Sequence, residues 1–429
     1  MYYYSLNNKN HRVSFEEAVV SGIAPDRGLY FPEKIEKLPA SFYNEIDQMS
    51  ATQIAYMVIE QFIGTSIPKN HLLQILDEVL DFDFPVVPID ESISSLELFH
   101  GPTMAFKDVG ARFMAKCLEY FNKNNGRKTT VLVATSGDTG GAVANGFFKT
   151  DNVEVIILYP QNKVSDVQEK QLTTLGHNIT ALEVQGTFDD CQEMVKTAFL
   201  DEELKSKRNL TSANSINIAR WLPQTFYYFI AYKQLKSFNK ELVFSVPSGN
   251  FGNICAGIVA KKLGLPIRHF VASTNSNDII PRYLNTGFYS PRPSVETLSN
   301  AMDVGNPSNF IRIQHLFKND DTALKSEFSS YSFNDKETNS AIQELYKTAN
   351  YIADPHGAVG YLGLKKHGLQ PNEIGVFLET AHPIKFRSTV EKELSITLPL
   401  PDQIKEIMQK KKNSILIKNY KNLKAFLSK

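Results

Sequence analysis

Lys107 lies in the stretch Leu98-Phe-His-Gly-Pro-Thr-Met-Ala-Phe-Lys107-Asp108-Val-Gly110, among bulky apolar neighbours. A Gly-Pro turn precedes it and a helix-like run, Ala111 to Phe121, follows it. An ammonium is costly to bury, and burial pushes its pKa down toward that of a usable nucleophile or base. Such a lysine is a candidate for a Schiff base with a carbonyl cofactor. A lone lysine more often snorkels from its loop and pairs with a neighbour, here Asp108.

Two glycine-rich turns share one layout. Ser136-Gly137-Asp138-Thr139-Gly140 follows the apolar run Thr129 to Thr135, and Ser248-Gly249-Asn250-Phe251-Gly252 follows Leu242 to Val246. Each leads into a run of small residues that reads as a helix start. Glycine lets backbone N–H groups converge there, and the helix N-terminus adds partial positive charge, so each turn is an anion cradle. Neither turn matches G-x-G-x-x-G or G-x-x-x-x-G-K-[ST], which removes the main support for dinucleotide or Walker-type binding. Two anion cradles and one activated lysine point to pyridoxal 5′-phosphate (PLP), for which a protein supplies a lysine, a phosphate cup and a partner for the pyridine nitrogen. Thr380, in Thr380-Ala-His-Pro-Ile-Lys-Phe386 at the end of an apolar strand, is the candidate partner. A strand-end threonine also serves simply to satisfy a local backbone group.

These residues need a scaffold that brings strand ends together. Thr129–Thr135, Val153–Tyr159, Leu242–Val246, Ile267–Ser273 and Ile374–Glu379 are apolar runs of strand length separated by helix-like segments. Strands apolar on both faces predict parallel sheets covered on both sides. Residues 1–90 read as an N-terminal, mainly helical domain, with helices expected at Phe15–Val20 and Ala51–Ile63 and a short strand in Gly28–Pro32. The prolines of Asp81–Pro88 suggest an extended linker. The boundaries that follow are 91–225 for a first α/β domain with the Lys107 segment, 226–395 for a second, and 396–429 for a Lys-rich helical tail. Ile404–Lys412 and Asn419–Leu427 carry apolar residues at helical spacing, and they are expected to dock on the protein's own surface.

At 429 residues the chain is long enough for two or three domains. Its 46 basic and 46 acidic residues balance, which gives no electrostatic case for nucleic acid or an anionic membrane. Cys117, Cys191 and Cys255 lie far apart and read as buried thiols of a reducing compartment, so a cytoplasmic location is expected. The nine histidines show no ligand spacing, so no metal is expected. His100 and His382 fall in the motifs, where packing or capping roles compete with lining a site. Trp221 reads as core, and Asp354-Pro-His-Gly357 as a turn into a packed helix.

Taken in order, the motifs at 100–108, 136–140, 248–252 and 380–386 resemble those of the threonine synthases, in the longer form with an extra N-terminal domain. The similarity runs from Ser14-Phe-Glu-Glu-Ala-Val to the Lys385 region. It implies the tryptophan synthase β-type fold, two doubly wound α/β domains with PLP between them. It further implies that Lys107 holds PLP, that Gly249, Asn250, Phe251, Gly252 and Asn253 surround its phosphate, and that Thr380 faces the pyridine nitrogen. Ser136, Gly137, Asp138 and Thr139 would bind the substrate carboxylate. Asn214, Ser215 and Arg220, in Ala213-Asn-Ser-Ile-Asn-Ile-Ala-Arg220, would grip the substrate phosphate; without the resemblance, 214–217 reads as a helix-capping turn. The implied reaction takes O-phospho-L-homoserine and water to L-threonine and phosphate, in a monomer or homodimer. The alternatives are another PLP enzyme of this fold, such as a dehydratase or β-replacing synthase, and a non-catalytic ligand-binding homologue.

Overall fold

The apolar runs form parallel strands buried on both faces in the computed structural model, which describes residues 1–126 and 128–429, the side chains at 124 and 125 excepted. One sheet has six strands in the order Phe328–Ser332, Ile267–Thr274, Glu241–Pro247, Glu373–Glu379, Ile93–Glu97 and Val86–Pro88, of which only the last is antiparallel to its neighbour. A second sheet has five parallel strands in the order Ile415–Ile417, Ile179–Val184, Val153–Pro160, Thr129–Ala134 and Asn209–Ser212. Helices pack on both sheets, as parallel strands apolar on both faces require. At the N-terminus a small antiparallel sheet, Arg12–Ser14, Tyr2–Ser5 and Tyr30–Pro32, joins the helices Phe15–Ser21, Ala51–Ile63 and Lys69–Val79. Capping boxes at Ser14/Glu17 and Ser50/Gln53 start the first two of these helices. Their apolar faces join one core with both α/β units.

Sheet membership divides the chain differently from the sequence boundaries at three places. Residues 91–97, grouped by sequence with the first α/β unit, form a strand beside Glu373–Glu379 in the other sheet. The reason is pairing: the strand ends level with its partner, Glu97 opposite Glu379, and Leu98 N donates to Glu379 O at 3.0 Å. The stretch read as a linker supplies the antiparallel edge strand Val86–Pro88, an edge being where a proline is tolerated. The tail beyond residue 396 is not purely helical, because Ile415–Ile417 extends the five-stranded sheet. Its last helix, Tyr420–Leu427, buries Leu423 and Leu427 against Cys191 and Val195, so it docks on the protein's own surface as expected.

Candidate active site

The site is assembled where strands end. Glu373–Glu379 and Ile93–Glu97 finish side by side, and the two chains leaving them stay zipped together. Phe106 N donates to Thr380 O at 2.9 Å, His382 N donates to Met104 O at 3.1 Å, and Ala105 bridges Ala381. Backbone pairing therefore fixes Lys107 next to Thr380, the two residues that sequence had proposed as amine and ring partner. Lys107 opens the helix Lys107–Asn125, four residues earlier than the apolar run suggested, because the turn before it is held by tertiary contacts. Asp108 supplies one of these: it accepts from Thr103 N at 2.9 Å and from the Thr103 hydroxyl. Asp108 is buried and turned to Thr103, so the surface pairing of Lys107 with Asp108 does not form.

Lys107 is partly exposed by area, yet its amine is enclosed enough to lose most of its hydration. Burial lowers its pKa; Asp138 pulls it back up, while Lys385 and Arg220 press it down, leaving it at about 8. At that value a useful fraction of the amine is neutral near physiological pH. Asp138 lies 2.7 Å from Lys385 Nζ and accepts from Gln168 Nε2 at 3.0 Å. Burial alone would raise its carboxyl, but the charges of Lys385 and Lys107 outweigh that and hold it well below the usual range. With its side chain committed, Asp138 offers an incoming anion only its backbone N–H. Gly137 has φ 139°, and a Cβ there would lie 2.4 Å from the Gln168 carboxamide, so this turn needs glycine. The Gly137 and Gly140 amides both donate to Thr135 Oγ1, at 2.9 and 2.8 Å, which leaves Ser136 and Thr139 as the turn's free hydroxyls.

The second turn has the features of a phosphate cup. Phe251 adopts left-handed φ 60° and starts the helix Gly252–Lys262, whose first-turn amides lack intrahelical acceptors. A Cβ on Gly249 would meet Met302 Cα at 2.7 Å, so this approach also depends on glycine. Asn253 is buried, and its Nδ2 has no hydrogen-bond partner among the described residues. An orphaned buried donor beside a helix N-terminus fits a phosphate oxygen, and Gly249 to Asn253 could hold the phosphate of PLP. Asn250 is braced from outside: its Oδ1 accepts from Ser308 N at 3.2 Å and its carbonyl from Asn309 N at 3.2 Å.

Asn214, Ser215 and Arg220 sit between these parts. Asn214 Nδ2 donates to Ala134 O at 3.0 Å, Ser215 Oγ accepts from Asn309 Nδ2 at 3.0 Å, and Asn217 caps the short helix Ile218–Trp221. The segment is thus a capping turn as well as a candidate anion site. Arg220 packs on the Lys107 helix so tightly that a Cβ on Gly110 would lie 2.7 Å from its carbonyl oxygen. Its guanidinium is buried, bonds the Ala213 carbonyl, leaves Nε unpaired, and has no carboxylate partner among the described residues. Burial lowers its pKa to about 10, against the opposing pull of Tyr227 and Asp108. A cleft of about 1460 Å³ is lined in part by Asn214, Ser215 and Asn250; Lys107, Thr380 and Arg220 are not among its lining residues.

Several residues of this assembly escaped the sequence reading. Lys385 was inside a quoted motif but carried no role. Gln168, Asn309 and Arg312 gave no signal at all. Arg312 is fully buried, donates to Asn309 Oδ1 at 2.6 Å, Ser215 O at 3.1 Å and Tyr30 O at 3.0 Å, and lies over Trp221 at 4.3 Å. It fastens the 214–220 segment to the N-terminal unit and confirms Trp221 as core. His382 caps the turn Pro383–Phe386 through Nδ1, and burial lowers its pKa to about 4; His100 is exposed and bonds Glu97 at 2.7 Å. No cluster of metal-ligating side chains occurs among the described residues, and no described helix is long and apolar enough to cross a membrane.

A lysine at the end of one strand pair, a glycine cup and a strand-end hydroxyl define the class, and the comparisons agree. Residues 95–380 match the family described as pyridoxal-phosphate dependent enzyme. The flanks match the threonine synthase N-terminus over residues 2–79 and the threonine synthase C-terminal family over residues 357–427. The chain is 47% identical over 405 residues to a threonine synthase of Buchnera aphidicola subsp. Baizongia pistaciae, covering 94% of this chain and 93% of that one. Threonine synthase of Escherichia coli K12 is 45% identical over 404 residues, with the same coverage of 94% and 93%. The crystal structure of the Escherichia coli enzyme superposes with a TM-score of 0.94 at 42% identity, covering 100% of this chain and 99% of that one. PLP-bound threonine synthase from Brucella melitensis follows at 0.93 and 34%, covering 100% and 98%. The chain belongs to the threonine synthase family.

Proposed function

We propose that this enzyme converts O-phospho-L-homoserine and water to L-threonine and inorganic phosphate, with PLP held on Lys107. The observation that carries the choice of substrate is Arg220: a buried guanidinium with an unpaired Nε and no carboxylate partner among the described residues, packed on the Lys107 helix. An anion would complete this cation, and a phosphate matches the guanidinium fork. Asn214 and Ser215 add an amide and a hydroxyl beside it. The Ser136–Thr139 turn takes the substrate carboxylate through the N–H groups that Thr135 does not occupy and through the Ser136 and Thr139 hydroxyls. Gly249 to Asn253 hold the cofactor phosphate.

When bound, PLP supplies the electron sink for the charge left at the substrate Cα. Lys107 would hold the cofactor and, as a free amine, would be the base for the Cα proton, its pKa of about 8 suiting a base near neutrality. Over the whole reaction Cγ loses phosphate and gains the proton given up by Cβ, while water supplies the hydroxyl at Cβ and the proton that ends on phosphate. Thr380 would offer the pyridine nitrogen a hydroxyl, which would not hold that nitrogen protonated as a carboxylate does. More of the charge stabilisation then falls on the helix N-termini and the anion sites. The free, buried Cys117, Cys191 and Cys255 suit work in the cytoplasm.

Phosphate release from O-phosphohomoserine, read beside the visible absorbance of bound PLP, tests this directly. Arg220→Ala is expected to abolish most phosphate release and leave the absorbance in place. Full activity in that variant removes the phosphate assignment.

A further inference from the structure

Lys385 and Asp138 form a fully enclosed ion pair behind Lys107 that the reaction outlined above does not use. Lys385 is 0% and Asp138 4% exposed, and their charged atoms are 2.7 Å apart. A buried pair of this kind is weak evidence for stability, since desolvation offsets most of its attraction, so another role is worth seeking. Lys385 sits in the turn Pro383–Phe386 that follows Thr380, whereas Asp138 opens the helix Asp138–Gly146 in the other α/β unit. Lys385 Nζ also donates to Thr103 O at 2.9 Å, a carbonyl shared with Gln171 Nε2 at 3.0 Å. One ammonium thus ties together the Thr380 segment, the loop that presents Lys107 and the Ser136–Thr139 turn.

The charges around this point are few. Lys107 feels Asp138, Lys385 and Arg220; Asp138 feels Lys385, Lys107 and, least of the three, His356. Lys385 is in turn felt by Asp108 and His382. Among the described residues the one anion acting on Lys107 is therefore Asp138, and Asp138 is already occupied by Lys385 and Gln168. Without Lys385, the other lysine acting on the buried Asp138 is Lys107. An ion pair between them would lock the reacting amine in its charged form.

Resting on the reading of Lys107 as the reacting amine, we propose that Lys385 is a positioning residue. It neutralises Asp138, so that Lys107 enters the reaction as a free amine and not as half of a salt bridge. The two partners then act on Lys107 with opposite sign, which a purely structural role does not predict. Removing Lys385 strengthens the hold of Asp138 on Lys107, whereas removing the Asp138 charge abolishes it.

The test uses Lys385→Met, Asp138→Asn and the double variant. PLP is stripped and returned across a pH series, and the rate of growth of visible absorbance reports the neutral fraction of the amine. The acid limb of kcat with the PLP-loaded enzyme gives a second reading of the same group. The midpoint is expected to rise by about one unit or more in Lys385→Met and to fall by about one unit in Asp138→Asn, the scale set by one opposite charge within a few ångströms. The double variant, which buries no unpaired charge, should return close to the parent midpoint. If Lys385→Met does not fold, as an uncompensated Asp138 could cause, Asp138→Asn and the double variant still decide the matter. Midpoints that stay put, or that move in the same direction in both single variants, overturn the proposal. Failure of the underlying reading looks different: PLP capture would persist in Lys107→Ala.

Discussion

Replacing Gly110 by alanine places one methyl group where the helix Lys107–Asn125 meets the short helix Ile218–Trp221. The added Cβ would lie 2.7 Å from the Arg220 carbonyl oxygen and 3.3 Å from Arg220 Nε. Two effects compete. Alanine gains about 1 kcal/mol over glycine in helix propensity. Against this, the carbon–oxygen contact must open by roughly half an ångström before it stops being repulsive. The obstructing atom is main chain, which unlike a flexible side chain has no rotamer to escape into, and overpacking of this kind costs about 1–3 kcal/mol. The steric effect wins, for a net loss of about 1 kcal/mol and a fall in Tm of roughly a few degrees. The functional cost is larger, because the displacement separates Arg220 from the helix that carries Lys107. Misplacing a binding group by up to an ångström costs on the order of tenfold to a hundredfold in rate. Steady-state phosphate release, PLP absorbance and thermal denaturation should be measured on one preparation. The expected pattern is intact absorbance, a slightly lowered Tm and kcat/KM for O-phosphohomoserine down at least about tenfold. A variant more stable than the parent with unchanged kcat/KM would refute the tight packing of Arg220 on the Lys107 helix and the reasoning built on it.

Further outcomes follow from the same geometry. Asn253→Ala removes the orphaned Nδ2 donor while Tyr228 keeps the Asn253 carbonyl as its acceptor, so PLP binding should weaken about tenfold, as for one hydrogen bond to a charged group. Equilibrium dialysis with PLP measures this, and an unchanged Kd contradicts the phosphate cup. Glu379 is held well above its ordinary value of 4.5, first by burial and then by Asp354, so it contributes stability below that value that is lost as pH rises through its folded-state pKa. Glu379→Gln mimics the neutral acid and should flatten the alkaline fall of Tm; an equally steep fall in the variant rules this source out. Gly137→Ala combines a φ of 139° with a 2.4 Å clash against Gln168, and should lower Tm and kcat/KM together; a variant matching the parent in both would show that the turn tolerates a side chain.

The legible parts of this molecule were those encoded locally. Thr129–Ala134 and Glu373–Glu379 are unbroken apolar runs, and such runs have few structural options once helices flank them. The two glycine turns were readable because a positive φ and close backbone approach demand glycine, and demand it at fixed offsets from a strand. What stayed hidden depends on partners far apart in the chain. Nothing near residue 168 or 312 says that Gln168 will meet Asp138, or that Arg312 will stack on Trp221 and bond Ser215. The strand Ile93–Glu97 was grouped with the wrong sheet because its partner lies beyond residue 370, and parallel pairing leaves no hairpin signal. Ile415–Ile417 is too short to announce itself as a strand without its neighbour.

The central claim is that Lys107, and not the adjacent buried Lys385, carries the cofactor. Reducing the PLP-loaded enzyme with borohydride and mapping the phosphopyridoxyl label by peptide mass spectrometry addresses it in one measurement. A single labelled peptide spanning Lys107 is the expected result. A label on Lys385, or on any other lysine with Lys107 unmodified, would contradict it.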